Sequence, residues 1–476
     1  MISFDKLSRI IGGLLLVFSG FMLIPLIIDI TFKNTIGSCG FALAFVATLF
    51  VAGFLFLSSQ PQDDWQLNFR EKVILIIVGW CVLSVTSALP LILSSTNISM
   101  IDGLFEMISA FSTSGASIIL NIKEISEGMI FWRSFLQLLG CIFFIISNMY
   151  MFADFSSLIF PNLALNNDRN VLFSISKITF NVYFGISFLA ALILISAENL
   201  SPLDAFCYTF AAISSGGLTS QSTYAFNGNV LNITMTSLMF ISGLSVSVFR
   251  KIINVDKTLF VDTQLRCYIG TIFIITFILI AFSGNVSSKN LLNEIQNTLF
   301  NVISAITTSG ISMDITSGKF CNSFMYLLSF LGGCFGSGTG GVKILRIIIV
   351  ITLLKCYLSR IINSNSIYIP TYNGQKIEKN HLGSLFSYFM CYLGLAIFLT
   401  CVLSYSYFDF TKSFGAIITS MNNNGVYFGL TKASALELAT LSYTGKISII
   451  LAMIAGRLEF VPFFIVMMKS FWKRGK

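Results

Sequence analysis

The chain has 476 residues, of which 55% are apolar and only 11% charged, with a formal net charge of +8. Soluble domains carry about 25% charged residues, so this balance excludes a set of soluble domains and points to a membrane solvent. Basic residues beside long apolar runs then read as membrane topology and contact with anionic headgroups, and nucleic-acid binding is excluded for want of any recognition motif.

In chain order, Ile10–Phe32 holds a single charge, Asp29. It is long enough to cross a hydrocarbon core that needs about 20 residues. The run is too long for a removable signal peptide, and no small-residue cleavage site closes it. With Cys39–Leu57 it predicts a leading hairpin. Paired spans follow at Val73–Leu93 and Met129–Phe152, Ile178–Ser196 and Leu231–Phe249, Cys267–Phe282 and Ser323–Leu354, and Leu385–Tyr405 and Ile447–Met468. Between the members of each pair lies a shorter segment that runs from an amphipathic stretch into polar residues and a glycine. These are FEMISAFSTSGAS (Phe105–Ser117), CYTFAAISSGGLTS (Cys207–Ser220), LFNVISAITTSGIS (Leu299–Ser312) and FGAIITSMNNNGVY (Phe414–Tyr427). Aligned on Gly115, Gly216, Gly310 and Gly425, they recur about every hundred residues, too far apart for a solenoid.

The repeating unit is therefore span, re-entrant loop, span. A bilayer tolerates non-helical backbone only where it is buried or lines an aqueous path, so four such loops are expected to converge on one pore. The predicted fold is an all-α integral membrane protein of about ten spans: a two-helix hairpin and four span–pore-helix–span units around one pore. The expected segments are 1–60 for the hairpin and 61–165, 166–255, 256–365 and 366–476 for the units.

Both termini share one side in this plan. About 20 of the 29 Lys and Arg fall on that side and about eight on the side of the re-entrant loops, which makes the termini cytoplasmic. Arg250, Lys251, Lys257 and Arg266, and Lys469, Lys473, Arg474 and Lys476, carry the contrast.

The four loops have the chemistry of a cation filter. A helix ending at mid-membrane points its partly negative carbonyl end at that depth. Backbone oxygens can then replace an ion's hydration shell, and glycine permits the turn without a side chain on the axis. The flanking Ser, Thr and Asn add oxygens without fixed charge. Eight acidic residues (Asp102, Glu106, Glu124, Glu127, Glu198, Asp204, Glu294, Asp314) lie on the loop side, either to concentrate cations or to cap helices. The ten cysteines show no C-x-x-C spacing and the single histidine, His381, sits in a polar loop, so neither a zinc site nor a disulfide framework is expected.

Two features remain. LGGCFGSGTGGVKILR (Leu331–Arg346) interrupts the second span of unit three with six glycines between Gly332 and Gly341, which makes a regular helix there costly. Its G-S-G-T-G-G fits G-x-G-x-x-G, but no strand precedes it and no acidic residue follows about 20 positions on, so a dinucleotide site is not expected. Arg457, in MIAGRLEFVP (Met453–Pro462), puts a charge inside a span. It must face a cavity, a partner such as Glu459, or the membrane edge.

Taken together, DGLFEMISAFSTSGA, FWRSFLQLLG (Phe131–Gly140), LFNVISAITTSGI, LGGCFGSGTGGVKILR and MIAGRLEFVP resemble, in order and over nearly the whole chain, the TrkH-type pore subunit of the Trk/Ktr/HKT superfamily of potassium transporters. The resemblance implies potassium filter strands at Thr113-Ser114-Gly115, Ser214-Ser215-Gly216, Thr308-Ser309-Gly310 and Asn423-Asn424-Gly425. It implies an intramembrane gating loop involving Gly336, Gly338, Gly340, Gly341 and Lys343, with Arg457 beside the pore below the filter. Potassium is then the substrate, with no covalent cofactor. A homodimer, a cytoplasmic nucleotide-binding regulatory subunit (TrkA-like) and a bacterial inner-membrane location are also implied. The strands depart from the family's usual Thr-Thr-Gly, Asn424 stands where an apolar residue is common, and the stretch after Gly140 lacks the usual extra glycines. No filter glycine is replaced by serine, the change associated with sodium permeation. A sodium-coupled or sodium-permeable transporter of the same fold is one alternative, a secondary transporter of a small solute another. Channel-like flux and proton or sodium symport both stay open. No enzyme is expected, because no activated nucleophile, paired carboxylates or metal cluster lies at mid-membrane.

Overall fold

The computed structural model describes residues 3–59, 67–94, 98–151, 169–220, 228–256, 261–282, 291–312, 327–363, 368–377, 379–405, 409–425 and 434–473. Phe152, Lys257, Asp314, Cys321, Ser323, Tyr427, Arg474 and Lys476 lie outside these residues.

The leading hairpin is α1 (Phe4–Thr31) and α2 (Thr35–Ser58), and Asn34 caps α2 through Gly37 N–H. Unit one follows with α3 (Phe69–Ser94), the short α4 (Met100–Phe111) and α5 (Glu127–Met151). Unit two has α6 (Arg169–Glu198), α7 (Pro202–Ile213), α8 (Asn229–Ser242) and α9 (Val246–Ile253). Unit three has α10 (Thr263–Phe282), α11 (Leu291–Ile306) and α12 (Ile344–Ile362). Unit four has α13 (Lys379–Ser404), α14 (Phe410–Met421), α15 (Ser434–Ala439), α16 (Tyr443–Arg457) and α17 (Val461–Met467), and α18 (Lys469–Trp472) ends the described chain. At 1.5 Å per residue, the 12-residue α4 is about 18 Å long, too short to cross. Ser99 and Ser201 cap α4 and α7 by accepting from Asp102 and Asp204 N–H.

Among the described residues, seven helices are long and apolar enough to span: α1, α2, α3, α5, α6, α10 and α13. Two expected spans are bent and not continuous helices. Leu231–Phe249 is not one helix, since α8 and α9 meet at 102° across Gly243–Ser245, and Ile447–Met468 bends by 106° between α16 and α17. Within Ser323–Leu354 the described chain leaves helix after Leu328 and resumes it only at Ile344. Beside the helices, β1 (Thr371–Tyr372) and β2 (Gln375–Lys376) form a short antiparallel hairpin. Its Asn373-Gly374 turn has positive φ at both residues, as the type I′ form of a two-residue hairpin connection requires.

An aromatic core of Phe18, Phe41, Trp80, Phe111, Trp132 and Phe135 locks the leading hairpin to unit one. Outward faces instead carry exposed apolar side chains such as Phe50, Leu57, Phe277 and Phe398, a surface suited to lipid. Asp29 is fully buried and ties the two parts together, accepting from Gly128 N–H (2.7 Å) and Ser126 Oγ (2.9 Å) at the start of α5. Asp29→Asn is expected to lower stability by about 1.5–3 kcal/mol, the worth of hydrogen bonds to a charged group. Denaturant unfolding in detergent measures it.

Candidate pore and intramembrane loop

The short helices α4, α7, α11 and α14 end in one shared turn. Ser112, Ser214, Thr307 and Asn422 follow the helix, and the next residue is left-handed: Thr113 (φ 53°), Ser215 (54°), Thr308 (58°) and Asn423 (50°). The N–H of Ser114, Gly216, Ser309 and Asn424 then donates five residues back, to the carbonyls of Ser109, Ala211, Ser304 and Thr419, at 2.9–3.0 Å. This is the bonding of a Schellman helix end, with side-chain-bearing residues where glycine is usual. Each such position costs about 1–3 kcal/mol unless its surroundings hold it. Positive φ returns two residues later, at Gly115 (79°), Gly217 (76°), Gly310 (70°) and Gly425 (54°).

That register corrects the alignment of unit two by one residue. Gly217, not Gly216, is equivalent to the other three glycines. Gly216 stands where Ser114, Ser309 and Asn424 stand, and Ser214 stands where Ser112 does. The corrected strand is Ser215-Gly216-Gly217.

The four turns close a ring. A Cβ on Gly115 would lie 2.4 Å from the Gly216 carbonyl oxygen, and one on Gly217 2.4 Å from that of Ser309. On Gly310 it would lie 3.3 Å from the Asn424 oxygen, and on Gly425 3.1 Å from that of Ser114. Unit one thus meets two, two meets three, three meets four and four meets one, each through the same pair of positions. Gln137 of α5 steadies the turn of unit two, donating to Leu218 O (2.8 Å) and accepting from Leu218 N (3.1 Å). At the end of FWRSFLQLLG, Gly140 packs closely on α4: a Cβ there would overlap the Phe111 carbonyl at 1.7 Å.

Oxygen and nitrogen atoms accumulate at this ring. Thr113 Oγ1, Ser114 Oγ, Ser215 Oγ and both amide atoms of Asn424 are buried without a partner among the described residues. Left dry, each such group costs about 1–3 kcal/mol, so the set suits a hydrated or ion-bearing path.

The glycine-rich segment lies against the same ring. Gly340 N–H donates to Thr308 Oγ1 at 2.8 Å, and a Cβ on Gly340 would meet the Asn422 carbonyl at 1.8 Å. Elsewhere it is held by Cys334 N–H to Gly243 O (2.9 Å), Phe335 N–H to Gln264 Oε1 (2.9 Å) and Val246 N–H to Gly336 O (3.1 Å). Gly338 leaves room for Cys141 Sγ, and Gly341 (φ 74°) packs on the Gly332 backbone. Lys343 turns back into the segment and bonds Ser337 and Thr339.

Arg457 does not pair with Glu459. Its Nε donates to the Ser112 carbonyl (2.5 Å) and its Nη1 to the Gly338 carbonyl (2.8 Å), bracketing the end of α4 to the glycine segment. The Phe144 ring covers the guanidinium at 4.5 Å. Glu459 pairs instead with Arg346 and accepts from Asn148 Nδ2. Left-handed backbone at Glu459 (φ 52°) and Phe460 (φ 62°) makes the bend after α16 and turns the carboxylate away from Arg457. Sequence reading missed Gly217, Gln137, Asn148 and Arg346. Gln137 and Asn148 left a signal, as lone amides in an otherwise apolar span.

Several of the loop-side acids have local partners. Glu106 pairs with Arg133 (2.7 Å) and Asp102 with Lys446 (2.6 Å). Glu198 accepts from Val230 N–H (3.0 Å) and Glu124 from Asn121 Nδ2 (2.9 Å).

A ring of helix-ended turns inside a multi-pass helical bundle defines a membrane transport protein. Residues 38–474 match the family described as TrkH, cation transport protein, and the chain belongs to that family of transporters rather than enzymes. It is 26% identical over 497 residues to the Trk system potassium uptake protein TrkI of Halomonas elongata, covering 98% of this chain and 96% of that one. It is 25% identical over 499 residues to the Trk system potassium uptake protein TrkH of Escherichia coli, covering 99% of each. The crystal structure of the potassium transporter TrkH from Vibrio parahaemolyticus is similar in fold, with a TM-score of 0.87 and 22% identity, covering 99% of this chain and 100% of that one.

Proposed function

We propose that this chain takes up potassium across the bacterial inner membrane through one pore made by segments 61–165, 166–255, 256–365 and 366–476. The closed ring of Gly115, Gly217, Gly310 and Gly425 on neighbouring carbonyls carries the reading. Its similarity to the potassium uptake proteins of Halomonas elongata and Escherichia coli supports potassium as the ion. Thr113-Ser114-Gly115, Ser215-Gly216-Gly217, Thr308-Ser309-Gly310 and Asn423-Asn424-Gly425 are the filter strands. Their oxygens are carbonyl, hydroxyl and amide, the donor set of a monovalent alkali ion rather than the carboxylates of a divalent site. Gly336, Gly338, Gly340, Gly341 and Lys343 form the gate below, and Arg457 opposes cation passage there while it brackets Gly338. Both termini face the cytoplasm. A second copy of the chain and a cytoplasmic nucleotide-binding subunit of the TrkA type complete the assembly, and nucleotide acts through that subunit.

Growth of a potassium-uptake-deficient bacterium at limiting potassium tests the reading, with the chain expressed beside its own regulatory subunit. Rescue by the wild type is expected, weakened in potassium-over-sodium preference by Gly310→Ser. Absence of rescue by a membrane-inserted wild type contradicts it.

A further inference from the structure

Lys343 is 1% exposed, has positive φ (75°) and folds its side chain into the loop that precedes it. Its Nζ donates to Ser337 O (3.2 Å), Ser337 Oγ (3.3 Å), Thr339 Oγ1 (3.0 Å) and the Thr339 carbonyl. Ser337 Oγ and Thr339 Oγ1 are 2.8 Å apart, and Gly333 N–H holds Thr339 Oγ1 in place at 3.0 Å. The Phe144 ring lies 5.2 Å from the ammonium. No ion pair forms at Lys343 among the described residues. The Gly338 carbonyl between these two residues is taken by Arg457. Three consecutive carbonyls of one glycine-rich strand are thus each met by a cation that belongs to the chain.

Two carbonyls, two hydroxyls and an aromatic face, with no carboxylate, are the donors of a weakly hydrated monovalent cation; a divalent ion would call for carboxylates. An ammonium head group and a dehydrated potassium ion are close in size and charge. We propose that Ser337 and Thr339 form a monovalent-cation site which the chain fills with its own tethered ammonium, and which takes a free cation of ammonium or potassium size once that head group is removed. The site is separate from the glycine ring, and the inference stands whether or not that ring conducts potassium.

Thallium is the probe. Purified full-length wild type and Lys343→Met, both in thallium-containing buffer, would be compared by anomalous diffraction. The variant is expected to show a thallium peak within coordination distance of the Ser337 and Thr339 carbonyls, and the wild type none there. Peaks at the glycine ring in both proteins report on the filter independently. A variant that keeps the loop but shows no peak overturns the site. Failure of Lys343→Met to accumulate in potassium-replete cells also overturns it, because cellular potassium should fill the cage. Lys343→Ala gives a second readout. n-Propylammonium should raise its Tm by several degrees, with no change in the wild type and no effect of tetramethylammonium, which has no N–H donors. Equal shifts in both proteins, or none in the variant, count against the proposal.

Discussion

Gly217→Ser should reduce rubidium uptake about tenfold or more, and by more than Gly216→Ser does. At Gly217 the backbone is left-handed (φ 76°), and an added Cβ would lie 2.4 Å from the Ser309 carbonyl oxygen of the next unit. Strain of about 1–3 kcal/mol therefore falls on the ring itself, and a backbone carbonyl has to move. At Gly216 an added Cβ meets the Gln137 side chain (Oε1 2.0 Å, Cδ 2.7 Å), which must give up its Leu218 bonds to move. Its nearest contacts are nonetheless side-chain atoms and not a carbonyl of the ring. The equivalent positions of the other three units already carry Ser114, Ser309 and Asn424. Uptake of labelled rubidium by cells expressing each variant at matched levels decides the order. Equal losses, or a larger loss at Gly216, would contradict the register.

The second large effect is expected at Glu459. It is buried, and its carboxylate is the charge partner of Arg346, which otherwise donates to Val342 O (3.1 Å) and lies over the Tyr388 ring at 3.9 Å. Glu459→Gln takes the Glu459 charge away from a buried guanidinium, and breaking such a pair costs about 3–5 kcal/mol. Replacing both residues together by methionine removes both desolvation penalties, so the double variant should be far more stable than the sum of the single losses. Unfolding of the wild type, Glu459→Met, Arg346→Met and the double variant in detergent measures the coupling. Simple additivity would mean that the pair contributes little. Because Arg346 starts α12 and Glu459 sits in the bend after α16, this pair also joins the glycine-rich loop to unit four.

Much of this arrangement is legible in the sequence, and the failures have local causes. The loop glycines of units one, three and four stand alone after their polar runs, so their register is unambiguous. Unit two reads Ser-Ser-Gly-Gly, and composition cannot choose between two adjacent glycines; the left-handed turn at Ser215 does. Hydropathy stays high through Leu231–Phe249, because apolar content carries no information about direction, and the turn at Gly243–Ser245 passes unnoticed. Arg457 and Glu459 are two apart and invite pairing, but the helix ends between them and the left-handed bend sends the carboxylate to Arg346. Asp102 and Glu106 look like a cation-attracting rim until Lys446 and Arg133, remote in sequence, are seen beside them.

The central claim is that four glycine-ended turns form one potassium-selective path. Ion flux through the purified chain, reconstituted with its regulatory subunit in liposomes, tests it most directly. With potassium and sodium gradients imposed separately, the account predicts rapid potassium or rubidium flux and much slower sodium flux, with the preference reduced by Gly217→Ser and by Gly310→Ser alike. Flux of sodium equal to that of potassium in the wild type, or selectivity untouched by both serine variants, would contradict it.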